Sequence, residues 1–243
     1  MSDTTPLRAL FVAAHPDDTE LSCGGTIAKW IAAGHHIWYI VCTNGDKGTH
    51  DRALHPGRLA ELREAEQRAA ARLLGVEDVI FLRHPDGALD AGPQLRDEIA
   101  TLIRYIRPEA IFTHDGWRHH QIHPDHRAAG MATCDAIVYA RDHLFMPALS
   151  AIGLEPFAPC DLYLWGTDMP DYYEDITEFV ERKIEAVMCH ATQVGEAANW
   201  PERVRQWAAD TGAKAGMTYA ESFKHISFRP ASHVRPSEAK DEE

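Results

Sequence analysis

The chain has no CxxC pair, no GxGxxG fingerprint and no apolar run long enough to span a bilayer, and each absence removes a class of protein. Its five cysteines (Cys23, Cys42, Cys134, Cys160, Cys189) are odd in number and scattered. They fit reduced, mostly buried thiols rather than a disulfide framework or a thiolate-held zinc. Basic residues are scarce: 24 Lys and Arg face 37 Asp and Glu, for a net charge of −13. That balance argues against nucleic acid, whose phosphates call for concentrated cations, and against a basic membrane-docking face. Residues 1–7 are polar and show no basic flank followed by an apolar run, so a soluble, cytoplasmic protein with no membrane span is expected.

What is present is enough for one core. The 243 residues, 27.2 kDa and 45% hydrophobic, suit one large domain. Strand-like runs at 8–14, 37–42, 78–82 and 110–113 alternate with helix-like runs at 25–33, 57–74 and 94–107. This is the rhythm of βα units, predicting an α/β fold with a mostly parallel, Rossmann-like sheet covered by helices on both faces. A helix over 126–139, a strand over 161–165, and helices over 175–189 and from Pro201 to near Gly212 are expected next. Residues 229–243, rich in Pro, Ser and charge, read as a disordered or loosely attached tail, leaving 1–228 as the domain. The polar, glycine-containing segment 43–56 reads as a loop over the carboxyl end of the sheet.

Two clusters carry chemistry. His15-Pro16-Asp17-Asp18 follows the first strand, and His123-Pro124-Asp125-His126 follows the fourth. Open parallel sheets bind ligands beyond the carboxyl ends of their strands, so both clusters can line one crevice. Asp17, Asp18 and Glu20 stand where a dinucleotide-binding protein has glycines, and their charge repels phosphate while suiting a cation. Pro16 stiffens the turn. Imidazoles with a carboxylate make an incomplete shell of the kind zinc hydrolases use. The plainer reading is that Asp17, Asp18 and Thr19 cap a helix, as Asp125 would cap the next. A second cluster at another strand end weighs against that reading.

In order along the chain stand AHPDDTE (14–20), TNGDKGT (43–49), RxxE (63–66) leading to LLGV (73–76), PDG (85–87) and HPDH (123–126). Together they resemble the LmbE-like (PIG-L) zinc N-deacetylases, with a further likeness at 183–186 and 190–193. The resemblance implies zinc held by His15, Asp18 and His126, with Asp17 as general base toward a metal-bound water. It gives His123 a part at the oxyanion or the departing amine. It also implies an N-acetylglucosamine-type sugar or conjugate as small-molecule substrate, and makes a homo-oligomer, trimer or hexamer, plausible. Asp125 reads most economically as orienting an imidazole, and His114 as structural.

On the substrate side, Leu59, Leu62, Ala69, Ala70 and Leu73 form the apolar face expected of the second helix, with Arg63 and Glu66 inside it. The two are either a structural ion pair or, by the resemblance, a substrate-reaching arginine held by a glutamate. Asp86 is either a turn residue or, by the resemblance, an acceptor for a sugar hydroxyl. Lys183 and His190 share a face with Val187 and have no chemical role assigned. Two other functions compete: hydrolysis of a different amide or an ester, which the site chemistry permits, and a non-catalytic sugar- or nucleotide-binding module, which would need a phosphate loop that is absent.

Overall fold

Along β1 (Arg8–Ala13) the side chains alternate, Ala9, Phe11 and Ala13 facing one way and Leu10 and Val12 the other, and all are fully buried. A strand apolar on both faces belongs in the middle of a sheet covered on both sides, and that is where it lies. The computed structural model describes residues 5–195 and 199–228. After β1 come α1 (Asp18–Ala32), β2 (His36–Thr43), α2 (Pro56–Leu74), β3 (Asp78–His84), α3 (Pro93–Ile106), β4 (Ala110–His114), α4 (Pro124–Arg141) and the short α5 (Pro147–Ala151). Then follow β5 (Asp161–Trp165), β6 (Tyr172–Asp175), α6 (Val180–Met188), α7 (Ala191–Val194), α8 (Trp200–Ala213) and β7 (Ala220–Ser227).

The sheet order is β3-β2-β1-β4-β5-β7-β6. Strands β1 to β5 are parallel and β7 runs antiparallel to both β5 and β6. The chain therefore winds outward from β1 to β3, then returns to the other side of β1 as β4. Between β1 and β4 the winding reverses, and the loops leaving their carboxyl ends open a crevice there. The pairing Val12↔Thr113 sets the register, so Ala14 and His114 leave the sheet side by side. Stacked rings carry that register across four strands: Phe11 on Phe112 at 4.3 Å, Phe112 on Tyr163 at 4.4 Å and Tyr163 on His225 at 4.5 Å.

The α/β expectation holds, and four local readings change. Helix α1 begins at Asp18 rather than near residue 25: Gly24 and Gly25 lie inside it because α6 and the turn before it press close, and a Cβ at Gly25 would sit 2.6 Å from Ile176 Cδ1. The expected helix from 175 starts only at Val180. Tyr172–Asp175 is a strand instead, with Glu174 drawn inward by Lys29, Trp30 Nε1 and Tyr172 Oη. Strand β7 was not foreseen, since its buried Glu221 interrupts the apolar pattern. On α2 the buried side is Leu59, Ala60, Arg63, Gln67, Ala70, Ala71 and Leu74, rotated from the expected face so that two polar side chains point inward. The expected tail, 229–243, lies outside the described residues. No described helix is long and apolar enough to cross a membrane.

Helix α4 approaches β4 closely because residue 130 has no side chain: a Cβ there would strike the His114 carbonyl and lie 2.8 Å from the Gly116 amide. Both are backbone atoms that cannot rotate away. Gly130→Ala should therefore lower the unfolding free energy by about 1–3 kcal/mol and displace the start of α4; urea unfolding of the two proteins checks it.

Candidate metal centre and active site

Pro16 and the two residues after it turn the chain from β1 into α1, and Pro124 opens α4 at a position where a missing N–H costs nothing. His15 and Asp18 thus come from one corner of the crevice and His126 from the other. His15 Nδ1 lies 3.2 Å from His126 Nε2 and 3.4 Å from Asp18 Oδ2, while His126 Nε2 lies 3.3 Å from Asp18 Oδ1. Two ligands bound at ~2.1 Å around a tetrahedral ion stand ~3.4 Å apart, so the two imidazole nitrogens, and each of them with the Asp18 oxygen that faces it, have the spacing that zinc requires. The donor set, two nitrogens and a carboxylate, also suits that ion.

The other face of His15 explains why Nδ1 points into this group. His15 Nε2 is 3.1 Å from Asp125 Oδ2 and 3.2 Å from Asp86 Oδ1. Two carboxylates on one side draw the ring proton to Nε2 and leave the Nδ1 lone pair free for a metal. Asp125 is fully buried and its carboxylate also accepts from the Gly87 and Leu89 amides. Burial works against its charge, but His15 and those two amides hold its carboxyl down at about 2. The expected capping role falls away: the N-cap of α4 is His123, whose Nδ1 accepts the Asp125 amide.

Burial likewise disfavours a charged His15, yet its hydrogen bonds to Asp125, Asp18 and Asp86 outweigh this and push the imidazole up to about 11. Burial raises the Asp18 carboxyl too, and His126 and His114 reverse that and hold it well below the usual range. His114, expected to be structural, touches this group directly: its Nε2 is 3.2 Å from Asp18 Oδ2 and from the Ala14 amide nitrogen. Trp165 Nε1 donates to His114 Nδ1 at 3.0 Å. The Ala14 N–H in turn points at Nε2, so both ring nitrogens of His114 are gripped where the ring meets Asp18. His126 stacks between His114 and His123, at ring distances of 4.3 and 4.6 Å. Burial, and then the neighbouring His15 and His126, push the His123 imidazole below its usual range. With Nδ1 accepting the Asp125 amide, its Nε2–H is left as a donor toward the crevice.

Asp17 is the N-cap residue of α1 by position, but its side chain makes no capping hydrogen bond. The helix-capping explanation of the first cluster therefore fails for this residue. Its backbone is left-handed, φ 98°, which for a non-glycine costs of order 1–3 kcal/mol and persists only where surroundings enforce it. Three contacts do so: Gln67 Oε1 accepts the Asp17 amide at 2.9 Å, Arg63 donates to the Pro16 carbonyl at 2.6 Å, and Arg63 donates to Asp17 Oδ2 at 3.2 Å. Burial, with Asp18 adding to it and Arg63 opposing, raises the Asp17 carboxyl to about 6.

Arg63 is 4% exposed and also donates to the Gly45 carbonyl. The expected pairing with Glu66 is not what forms; Glu66 accepts from the Thr192 amide and hydroxyl instead. Asp86 accepts the Lys47 amide, while Lys47 Nζ reaches the Asp86 carbonyl, so the loop after β2 closes over the turn after β3. Sequence reasoning missed Gln67, fully buried, and left His190 and Lys183 without roles. The signal for Gln67 was its place one helical turn beyond Arg63, on the same face.

A model of the PIG-L family, GlcNAc-PI de-N-acetylase, matches residues 10–137. Diacetylchitobiose deacetylase of Thermococcus kodakarensis is 32% identical over 221 residues, 90% of this chain and 83% of that one. The 1D-myo-inositol 2-acetamido-2-deoxy-alpha-D-glucopyranoside deacetylase of Mycobacterium sp. strain KMS is 30% identical over 244 aligned positions, 82% of this chain and 78% of that one. Among solved structures, N,N'-diacetylchitobiose deacetylase of Pyrococcus horikoshii superposes with a TM-score of 0.86 at 31% identity, covering 90% of this chain and 84% of the other.

Two outcomes check the metal centre. His126→Ala should lower zinc stoichiometry, measured by atomic absorption after dialysis, whereas His123→Ala should leave it unchanged; equal loss in both would move the third ligand to His123. Without metal the carboxylates around His15 raise its imidazole to about 11, and the proton on Nδ1 must leave before that nitrogen binds a metal, so zinc uptake near neutral pH should release protons. Calorimetric heats that do not vary with the buffer would contradict this.

Proposed function

Because the chain belongs to the PIG-L family of GlcNAc-PI de-N-acetylases, we propose that it hydrolyses the acetamide of an N-acetylglucosamine-type sugar or conjugate, with zinc held by His15, Asp18 and His126. The observation that carries the reading is the meeting of the His15 and His126 nitrogens, 3.2 Å apart, with the Asp18 carboxylate, whose two oxygens lie 3.4 and 3.3 Å from them, beside an aspartate that caps nothing. Zinc, when bound, supplies a Lewis acid for the carbonyl and lowers the pKa of a water.

The chain's own residues do the rest. Asp17, its carboxylate steered by Arg63, takes a proton from the attacking water as the new C–O bond forms. His123 donates its Nε2–H to the carbonyl oxygen as that oxygen gains charge. Protonated Asp17 then returns the proton to the sugar nitrogen, and the C–N bond breaks to give acetate and the free amine. Asp125 keeps His15 turned toward the metal, and His114 keeps Asp18 turned likewise. Asp86 lies at the crevice in reach of a sugar hydroxyl, and Arg63 serves the substrate through Asp17. Five free cysteines with no disulfide suit work in the reducing cytoplasm.

Acetate release from N-acetylglucosamine, diacetylchitobiose and an N-acetylglucosaminyl-inositol should depend on added zinc and vanish on complete chelation. Activity surviving removal of all divalent metal contradicts the proposal. Asp17→Asn should keep its zinc and lose about 10²- to 10⁴-fold in turnover, the usual worth of a positioned base.

A further inference from the structure

The motif at 183–193, which the reaction leaves without a task, ends in a buried chain that runs to the base. His190 is 1% exposed, and its Nε2 lies 3.2 Å from Glu20 Oε2. Glu20, fully buried, accepts Gln67 Nε2–H on Oε1 at 2.9 Å and the Thr19 hydroxyl on Oε2 at 2.8 Å. Gln67, fully buried as well, accepts the Asp17 amide proton on Oε1 at 2.9 Å.

Each link is directional. A carboxylate can only accept, so Glu20 turns the Gln67 amide nitrogen toward itself, and the Gln67 oxygen must then face Asp17. The flipped amide would set nitrogen against N–H and oxygen against carboxylate at once. His190, whose Nε2 must be the protonated nitrogen to meet Glu20, fixes the glutamate from the far side. Its own Nδ1 is buried and has no hydrogen-bond partner among the described residues, which leaves Glu20 as the contact that orients the ring there.

We propose that Gln67, oriented by Glu20 and His190, is the positioning residue that holds Asp17 in its left-handed backbone conformation and so aims the catalytic carboxylate. The inference rests on the reading of Asp17 as general base. Arg63 contacts Pro16 and the Asp17 carboxylate, but among the described residues only Gln67 accepts the Asp17 amide. That hydrogen bond and the Arg63 contact to the Pro16 carbonyl hold the two ends of one peptide, and Gln67 is the part that fixes its N–H end. Losing the Gln67 contact leaves Arg63 alone to hold this turn and loosens the base without removing His15 or Asp18 as donors.

The test exchanges the pair. In Gln67→Glu a carboxylate faces Glu20, and their repulsion pulls the acceptor from Asp17. In the double variant Gln67→Glu with Glu20→Gln, the amide at 20 donates to the carboxylate at 67, its oxygen accepts from His190, and the carboxylate still accepts from Asp17. Zinc-loaded Gln67→Glu should lose about 10- to 100-fold in kcat, with KM within about twofold and zinc stoichiometry unchanged. The double variant should recover most of that loss. A kcat unchanged in Gln67→Glu, or a loss that the exchange does not rescue although the double variant melts as the wild type does, overturns the proposal.

Hydrogen exchange at the Asp17 amide reads the same link with no substrate present. It should accelerate in Gln67→Glu and slow again in the double variant; equal protection in all three proteins overturns the proposal. Should wild-type protein release no acetate, the function reading fails by itself, and the exchange data still decide whether Gln67 holds this amide. If Gln67→Glu does not fold, Gln67→Met, of similar volume, gives the same exchange and kcat comparison.

Discussion

One strand pair, β1 hydrogen-bonded in parallel to β4, decides where everything else can be. It joins two strands that are 100 residues apart in sequence, as the Ala14 amide and His114 imidazole show by meeting at their ends. Because the winding reverses between them, no crossover helix covers the space beyond their carboxyl ends. Two loops leading to helices on opposite faces of the sheet open there, each bearing histidine, proline and aspartate. The stacked rings of Phe11, Phe112 and Tyr163 fix the lateral register of these strands, and the absence of a side chain at Gly130 lets α4 descend far enough for His126 to reach Asp18.

The crevice concentrates charge that folding alone would not favour. Asp18, Asp86 and Asp125 lie within hydrogen-bonding range of one imidazole, and each is also held by a backbone amide or a second histidine. Burying ionised groups costs several kcal/mol each unless they are paired, and here they pair with histidines that a divalent cation would deprotonate. A site kept for stability would be cheaper as apolar side chains. Its retention as imidazoles and carboxylates around one point fits chemistry at that point.

The βα rhythm, the parallel half of the sheet and the two clusters were legible in the sequence, because alternating and 3.6-residue patterns report directly on which faces are buried. So was the convergence of the two clusters on one crevice, since loops at strand ends in one sheet share an edge, whereas the choice of His15, Asp18 and His126 within them came from the family resemblance. What escaped depends on contacts between distant segments. Helix α1 runs straight through Gly24 and Gly25 because Ile176 and Lys183 pack against them. Strand β7 carries a buried Glu221 that Lys183 and the Thr26 amide neutralise. Glu66 meets Thr192 rather than Arg63. His114 read as a bystander because its place beside Asp18 is held by Trp165, 51 residues away.

Helix α2 and the C-terminal elements thus form a frame behind the crevice, while β1 and β4 supply its contents. The division explains why Asp17 can remain in a costly backbone conformation: its geometry is imposed from outside its own turn. The most direct measurement of the account is zinc K-edge X-ray absorption on the metal-loaded protein. It should show nitrogen and oxygen neighbours at ~2.0–2.1 Å, the multiple scattering of two imidazoles, and no sulfur. A sulfur shell at ~2.3 Å, or a single imidazole, would contradict a centre made by His15, Asp18 and His126.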